Sequence, residues 1–160
     1  MSRSPEVATL VGNLVGTWTG SGHGEYPTID SFDYREVTSF TARDDHPSLH
    51  YEQRTWRATP DGEVVSHWET GLLRISSDGS VLINNAQGGR AESLIGTWGM
   101  NGSGWALDLT SKSFAGDERV VEARRNIHLN VESLTYDMYM HTTTTDHLLL
   151  HLTARLTRET

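Results

Sequence analysis

The feature that most constrains this fold is a glycine-rich segment, Gly16–Gly22, which reads Gly-Thr-Trp-Thr-Gly-Ser-Gly and leads into Tyr26–Ile29. Side chains along a strand point alternately to its two faces, so the glycines at alternate positions share one face. A strand face without side chains allows another backbone, a neighbouring side chain or a flat ligand to approach closely. Trp18 shares this face, and its size predicts that it plugs one end of a closed sheet.

The rest of the chain has the pattern of short β-strands joined by tight turns. The breaks carry dipeptides that favour the positive-φ turns of β-hairpins, namely Asp61-Gly62, Asp78-Gly79 and Asn101-Gly102. Together with the glycine-rich strand the pattern predicts about ten strands, the others lying near 32–40, 49–56, 64–75, 81–86, 91–98, 105–110, 120–129, 134–141 and 147–156. Such a series is typical of an antiparallel sandwich or an up-and-down barrel.

One short helix is predicted at the N-terminus. Ser4 is a suitable N-cap, and Pro5 occupies the first helical position, where its missing N–H is not needed. An apolar stripe at helical spacing follows, consisting of Val7, Leu10, Val11 and Leu14. We therefore expect this helix to cover or close part of the sheet.

The polarity of the strands distinguishes between the two architectures. Tyr51, Gln53 and Thr55 share one face of the third predicted strand, and the opposite face carries charged residues. Neither face would form a dry core, whereas a barrel that encloses a ligand tolerates a mixed interior. We therefore predict an all-β fold, a ten-stranded antiparallel up-and-down barrel with a short N-terminal helix, as a single domain over residues 1–160.

Composition excludes several classes of function. The chain has no cysteine, so disulfides, thiolate catalysis and cysteine-ligated metals are ruled out. Its formal net charge of −8 gives no overall basic surface for nucleic acid. No apolar run approaches the roughly 20 residues of a membrane span, and the polar N-terminus does not resemble a signal peptide. We expect a cytoplasmic protein that acts without nucleic acid or membrane.

The C-terminal segment offers two candidate metal ligands, His147 and His151. In a helix they would lie one turn apart and could bind zinc together. In a strand they would lie about 13 Å apart at about 3.3 Å per residue, too far for one metal. The clean alternation of leucines from Leu148 to Leu156 favours the strand. However, the same alternation places the leucines and the histidines on opposite faces, so periodicity alone would turn the histidines outward.

A further candidate is His67, in the sequence Ser66-His67-Trp68-Glu69. In a strand His67 and Glu69 share a face, so the carboxylate could orient the imidazole. The residues alone are also consistent with a cross-strand pair on the protein surface. From the sequence pattern we favour this second interpretation.

Three segments together resemble the nitrobindin family. They are the glycine-rich strand with Tyr26-Pro27-Thr28-Ile29, the segment His67-x-Glu69-x-Gly71-x-x-Arg74, and the ending Asp146-His147…His151-Leu152-x-Ala154-x-Leu156-x-Arg158. Nitrobindins are ferric-haem proteins built as ten-stranded antiparallel barrels related to lipocalins and fatty-acid-binding proteins. The resemblance covers nearly the whole chain in the same order.

The resemblance implies a role for particular residues. His151 matches the proximal haem ligand, Thr28 matches a haem-contacting threonine, and His67 matches a position on the distal side of the pocket. The alternate residues of the glycine-rich strand would give the macrocycle room and contact it, these being Gly16, Trp18, Gly20 and Gly22. Glu25 departs from the lysine of some relatives, and a carboxylate there would repel a haem propionate.

The resemblance also implies an activity. One haem b per chain, with ferric iron, would bind nitric oxide and isomerise peroxynitrite to nitrate, with axial ligation and pocket polarity setting the reactivity. The chain could also form a homodimer. Two alternatives remain open, namely a carrier of fatty acids or other apolar ligands without haem, and a haem-based nitric oxide sensor or carrier without turnover.

Overall fold

Ten antiparallel strands form one closed barrel in a computed structural model that describes residues 3–44 and 46–160. Each strand pairs with its neighbours in the chain, and β1 closes the barrel against β10. The elements are α1 Pro5–Leu14, β1 Gly16–Tyr26, β2 Ile29–Ala42, β3 Ser48–Thr59, β4 Gly62–Ile75, β5 Ser80–Gln87, β6 Arg90–Asn101, β7 Gly104–Ala115, β8 Val120–Leu129, β9 Ser133–Thr142 and β10 Leu149–Arg158. The predicted fold class is therefore confirmed.

Helix α1 covers one end of the barrel. The Ser4 side chain accepts a hydrogen bond of 3.3 Å from the Val7 backbone N–H and caps the helix as predicted. The apolar stripe of the helix is buried in the core of the barrel. Trp18 is also fully buried, and its indole N–H donates to the Leu14 carbonyl at 2.8 Å. Trp18 thus lies at the helix-covered end, as its position in the pattern predicted.

The opposite end of the barrel, which we call the mouth, carries the turns and connections at 27–28, 60–61, 88–89, 116–119 and 143–148. In an up-and-down barrel these connections necessarily gather at one end, since every second connection returns to the same side. The first residues of β10 and the last residues of β1 therefore meet at the mouth, far from α1.

The glycines of β1 allow close approach of neighbouring groups, and the structure shows which groups approach. A Cβ on Gly22 would clash with the ring of Tyr34, and one on Gly24 would clash with the ring of Phe32. A Cβ on Gly20 would clash with the backbone of β10 at Arg155. Two aromatic rings and a paired strand thus occupy the space beside these glycines.

Candidate functional site

The barrel encloses a cavity of about 300 Å³ that runs from the helix-covered end to the mouth. Its floor is apolar and includes Leu14, Leu107 and Leu134. Gln53 and Thr55, which share one face of β3, line the cavity higher up. The expected mixture of polar and apolar side chains in the interior is therefore confirmed for this strand.

A β-bulge places His151 in the cavity wall. The pairing of β10 with β9 shifts register here, because Leu150 is opposite Tyr139 while Leu152 is opposite Met138. His151 is the additional residue, and it lines the cavity together with its neighbour Leu152. A bulge re-aims side chains in this way, so the histidine and the inward leucine share one side of the strand despite their adjacent positions.

The hydrogen bond of the His151 ring fixes its tautomer. Nδ1 lies 2.9 Å from the Glu25 carbonyl oxygen, which can only accept, so Nδ1 carries the proton and Nε2 keeps its lone pair. Burial is the main cause that lowers the pKa of His151. The hydrogen bond to the Glu25 backbone carbonyl raises the pKa, and the electrostatic effects of Arg90 and His67 lower it. The rings of Tyr26 and His151 pack in a T-shaped arrangement with their centroids 5.3 Å apart. The site therefore holds a neutral imidazole with an unprotonated Nε2.

The wall opposite His151 consists of polar side chains on β4, β5 and β6. In the closed order of ten strands, β5 is diametrically opposite β10, and β4 and β6 flank it. His67, Gln87 and Arg90 come from these three strands and line the cavity near the mouth. The Nε2 atom of His67 lies 3.3 Å from the Glu69 carboxylate on its own strand. The interpretation of His67 as part of a surface cross-strand pair was therefore wrong.

The other residues singled out from the sequence lie outside the cavity lining. Thr28 is exposed in the turn at 27–28, at the mouth of the barrel. Gly16 and Trp18 lie at the helix-covered end, and Gly20 and Gly22 pack against neighbouring protein groups. Contacts of these five residues with a cofactor stay predictions, and only His151 and His67 of the predicted set line the cavity.

A buried ionic network, which the sequence did not reveal, crosses the barrel interior. Arg125 donates to both oxygens of Glu69, at 2.7 and 3.0 Å, and also to Glu92. Tyr51 donates its hydroxyl to Glu69 as well. Burial opposes ionisation of Glu69, but the charge of Arg125 and the hydrogen bonds outweigh it and lower the pKa of the carboxyl. These residues come from β3, β4, β6 and β8, so no local motif marks them.

A second buried carboxyl, Glu36, has only neutral hydrogen-bond partners. Its oxygens accept from Thr38 at 2.7 Å, Gln53 at 2.8 Å and Tyr136 at 2.6 Å. Burial raises the pKa of Glu36, and the negative charge of Glu69 raises it further, although the three hydrogen bonds oppose this. Alternation along β2 could have indicated its inward position, since Glu36 shares a face with buried Tyr34.

We expect the Glu36→Gln variant to lose stability less steeply than the wild type as the pH rises above the ordinary glutamate pKa of about 4.3. A carboxyl with a raised folded-state pKa favours folding below its unfolded pKa, and this contribution is lost as the pH rises through the folded-state value. Glutamine resembles the protonated acid and has no such dependence. Between the two pKa values the slope of the difference is about 1.4 kcal/mol per pH unit.

Urea unfolding of both proteins from pH 4 to pH 9 measures this difference. The Glu118→Gln variant removes an exposed carboxylate from the connection after β7 and controls for the change in net charge. A stability difference between Glu36→Gln and wild type that stays constant over this range would contradict the prediction.

No group of three or more histidine, aspartate or glutamate side chains within residues 3–44 and 46–160 converges as a site for a bare metal ion. Over the same residues, the only helix is far too short and insufficiently apolar to cross a bilayer. The candidate site is therefore the cavity, in which His151 offers an imidazole whose Nδ1 is hydrogen-bonded to a backbone carbonyl.

The chain is similar to proteins of known family over nearly its whole length. Residues 8–158 match the family described as "THAP4-like, heme-binding beta-barrel domain". A protein of Arabidopsis thaliana named peroxynitrite isomerase Rv2717c is 37% identical over 153 residues, which cover 95% of this chain and 88% of that protein. A peroxynitrite isomerase of Nocardioides sp. is 34% identical over 151 residues, covering 91% and 89%.

A solved structure has the same fold. The crystal structure of Rv2717c from M. tuberculosis superposes with a TM-score of 0.87 at 32% identity, covering 99% of this chain and all of that one. The likeness spans the barrel and the helix together.

Proposed function

The chain belongs to the family of THAP4-like, haem-binding β-barrel domains, and from this we propose that it binds haem in the barrel cavity and isomerises peroxynitrite to nitrate. Relatives that match it over most of its length carry the name peroxynitrite isomerase. The observation that carries the proposal is His151, a neutral imidazole that lines the cavity and has a free Nε2.

The residues present fit a haem. A haem brings four nitrogen ligands of its own, so the protein must supply only one more donor to hold the iron from one side. His151 is that donor, and the Glu25 carbonyl orients it through Nδ1, as outer hydrogen-bond partners commonly orient metal-bound histidines. Tyr26 restricts the ring from one edge, so little reorganisation of the imidazole is needed on binding.

The same residues explain how the site would support the reaction. The bound ferric haem supplies a Lewis-acidic iron at which peroxynitrite rearranges to nitrate. His151 would hold the iron, and His67, which lines the opposite wall with Nε2 3.3 Å from the Glu69 carboxylate, would face the space across the cavity from it. The apolar lower lining, which includes Leu73, Ile83 and Ile127, limits access of water to the interior.

The finer assignments stay predictions of this proposal. They are one haem b with ferric iron per chain, nitric oxide as a second small ligand, a cytoplasmic location and a homodimer. Thr28 lies at the mouth and is exposed, so a contact with the periphery of the haem there is compatible with its position.

A carrier of fatty acids is the alternative that the interior disfavours. Arg125, the buried cation of the lower cavity, already binds Glu69 and Glu92 through its two terminal nitrogens. Glu36, also in the cavity wall, already accepts the hydrogen bonds of Thr38, Gln53 and Tyr136, so these donors are not free for a second carboxylate. An anionic lipid headgroup beside Arg125, away from Arg90 near the mouth, would therefore meet a cation that two carboxylates already bind.

Two measurements on one preparation test the proposal. Addition of haem to the purified protein should give a Soret band that saturates at one haem per chain, and the loaded protein should accelerate peroxynitrite decay to nitrate in stopped-flow experiments. Absence of saturable haem binding would contradict the whole proposal. Haem binding without accelerated decay would instead identify the nitric oxide sensor or carrier.

A further inference from the structure

The wall opposite His151 presents a positive charge on a strongly acidic protein. The chain has a formal net charge of −8, which repels anions from most of its surface. Arg90, the first residue of β6, lines the cavity beside the turn at 88–89. Its side chain is only 13% exposed, so its charge is weakly screened by solvent.

The guanidinium of Arg90 retains unused hydrogen-bond donors. Nη2 donates to the Gln87 side-chain oxygen at 3.1 Å. Nε is buried without a hydrogen-bond partner, and its closest carboxylate oxygen, on Glu92, is 3.8 Å away, too far for a hydrogen bond. Buried donors of this kind are rare in folded proteins and call for a physical explanation.

The carboxylate nearest to Arg90 is that of Glu92, whose oxygen 3.8 Å from Arg90 Nε is buried without a hydrogen-bond partner. Glu92 accepts from Arg125, from Asn85 at 3.0 Å and from Gln87 at 3.2 Å, all through one oxygen. The Arg90 guanidinium therefore makes its one short side-chain contact with the neutral Gln87 and no hydrogen bond with Glu92.

We propose that Arg90 binds the anionic substrate on the side of the cavity opposite His151. A small anion held there would receive charge-assisted hydrogen bonds from a guanidinium, whose planar donors suit the oxygens of peroxynitrite and nitrate. Gln87 holds the guanidinium in place through Nη2, and the remaining donors serve the ligand. The inference rests on the proposed function, since it assigns a residue to the substrate of that site.

The test compares an anionic with a neutral ligand of the ferric, haem-loaded protein. Azide and imidazole are titrated by absorption spectroscopy into wild type, Arg90→Gln, Arg90→Lys and the control Arg155→Gln, which removes an exposed arginine from β10. Loss of a charge-assisted hydrogen bond should weaken azide binding by about tenfold in Arg90→Gln. Arg90→Lys, which keeps the charge, should lose less, and imidazole affinity should stay at the wild-type value throughout.

The outcomes separate this inference from the proposed function. Unchanged azide affinity in Arg90→Gln would overturn the role of Arg90, and so would an equal loss for azide and imidazole, because that indicates a general disturbance of the pocket. If Arg90→Gln does not fold, an azide affinity of Arg90→Lys equal to that of wild type would also overturn it. A wild-type protein that binds no haem would overturn the proposed function itself.

Discussion

Replacement of His151 by alanine should abolish or greatly weaken haem retention while the barrel still folds. His151 is the only histidine of β10, it lines the cavity, and its Nδ1 is held by the Glu25 carbonyl, which leaves Nε2 as the donor to a metal. Removal of the ligating imidazole should weaken haem affinity by more than the roughly 10- to 100-fold that follows removal of an outer hydrogen-bond partner. The bulge leaves His151 without a partner on β9, so the substitution should disturb the sheet little.

Haem titration followed by the Soret band measures this effect, with far-UV circular dichroism as the check on folding. His147→Ala is the matched control, because His147 is exposed in the connection at 143–148 and precedes β10. This variant should keep haem with a nearly unchanged spectrum. Added imidazole should partly restore the Soret band of His151→Ala. Wild-type haem retention by His151→Ala, or loss of haem only in His147→Ala, would show that the ligand is misassigned.

The strands could be predicted well from the sequence because their signals are local. Alternating polarity and hairpin dipeptides located all ten strands, and the capping residue Ser4 located the helix. The polar face of β3 correctly indicated an interior that holds more than a dry core. Each of these signals depends on residues within a few positions of one another, which is the range over which periodicity is informative.

The orientation of His151 could not be predicted in this way. Strict alternation placed it on the face opposite Leu150 and Leu152, and therefore outside the barrel. The bulge between Leu150 and Leu152 breaks the alternation at this residue, so His151 and Leu152 both line the cavity. A one-residue bulge leaves little trace in a pattern of apolar residues, and only the resemblance to a family pointed to His151 as a residue of the cavity.

The glycine-rich strand shows a second property that sequence alone does not predict. Its alternation correctly predicted a face that other groups approach closely, but not which groups. The structure places the rings of Tyr34 and Phe32 against Gly22 and Gly24. Those rings belong to β2, whose register against β1 brings Tyr34 opposite Gly22 and Phe32 opposite Gly24. Cross-strand register is a non-local property, and the sequence of one strand does not contain it.

Removal of the central cation of the buried ionic network should destabilise the protein strongly. Arg125→Gln leaves Glu69 and Glu92 buried without their principal counter-charge, and breaking a buried pair from one side costs about 3–5 kcal/mol of unfolding free energy. Because the pKa of Glu69 is lowered mainly by Arg125 against the effect of burial, that carboxyl should take up a proton more readily in the variant. Its stability should therefore recover in part at acidic pH.

Urea unfolding of the apoprotein at pH 7 measures the loss, and two further variants identify its cause. A triple variant, Glu69→Gln with Glu92→Gln and Arg125→Gln, carries no uncompensated charge and should be more stable than Arg125→Gln alone. Arg35→Gln breaks the exposed ion pair of Arg35 with Glu63, at 3.1 Å, and should have a far smaller effect because water already solvates both groups. If Arg125→Gln were no more destabilising than Arg35→Gln, the network would not act as a buried ion pair, and the argument that Arg125 is unavailable to an anionic lipid would lose its basis.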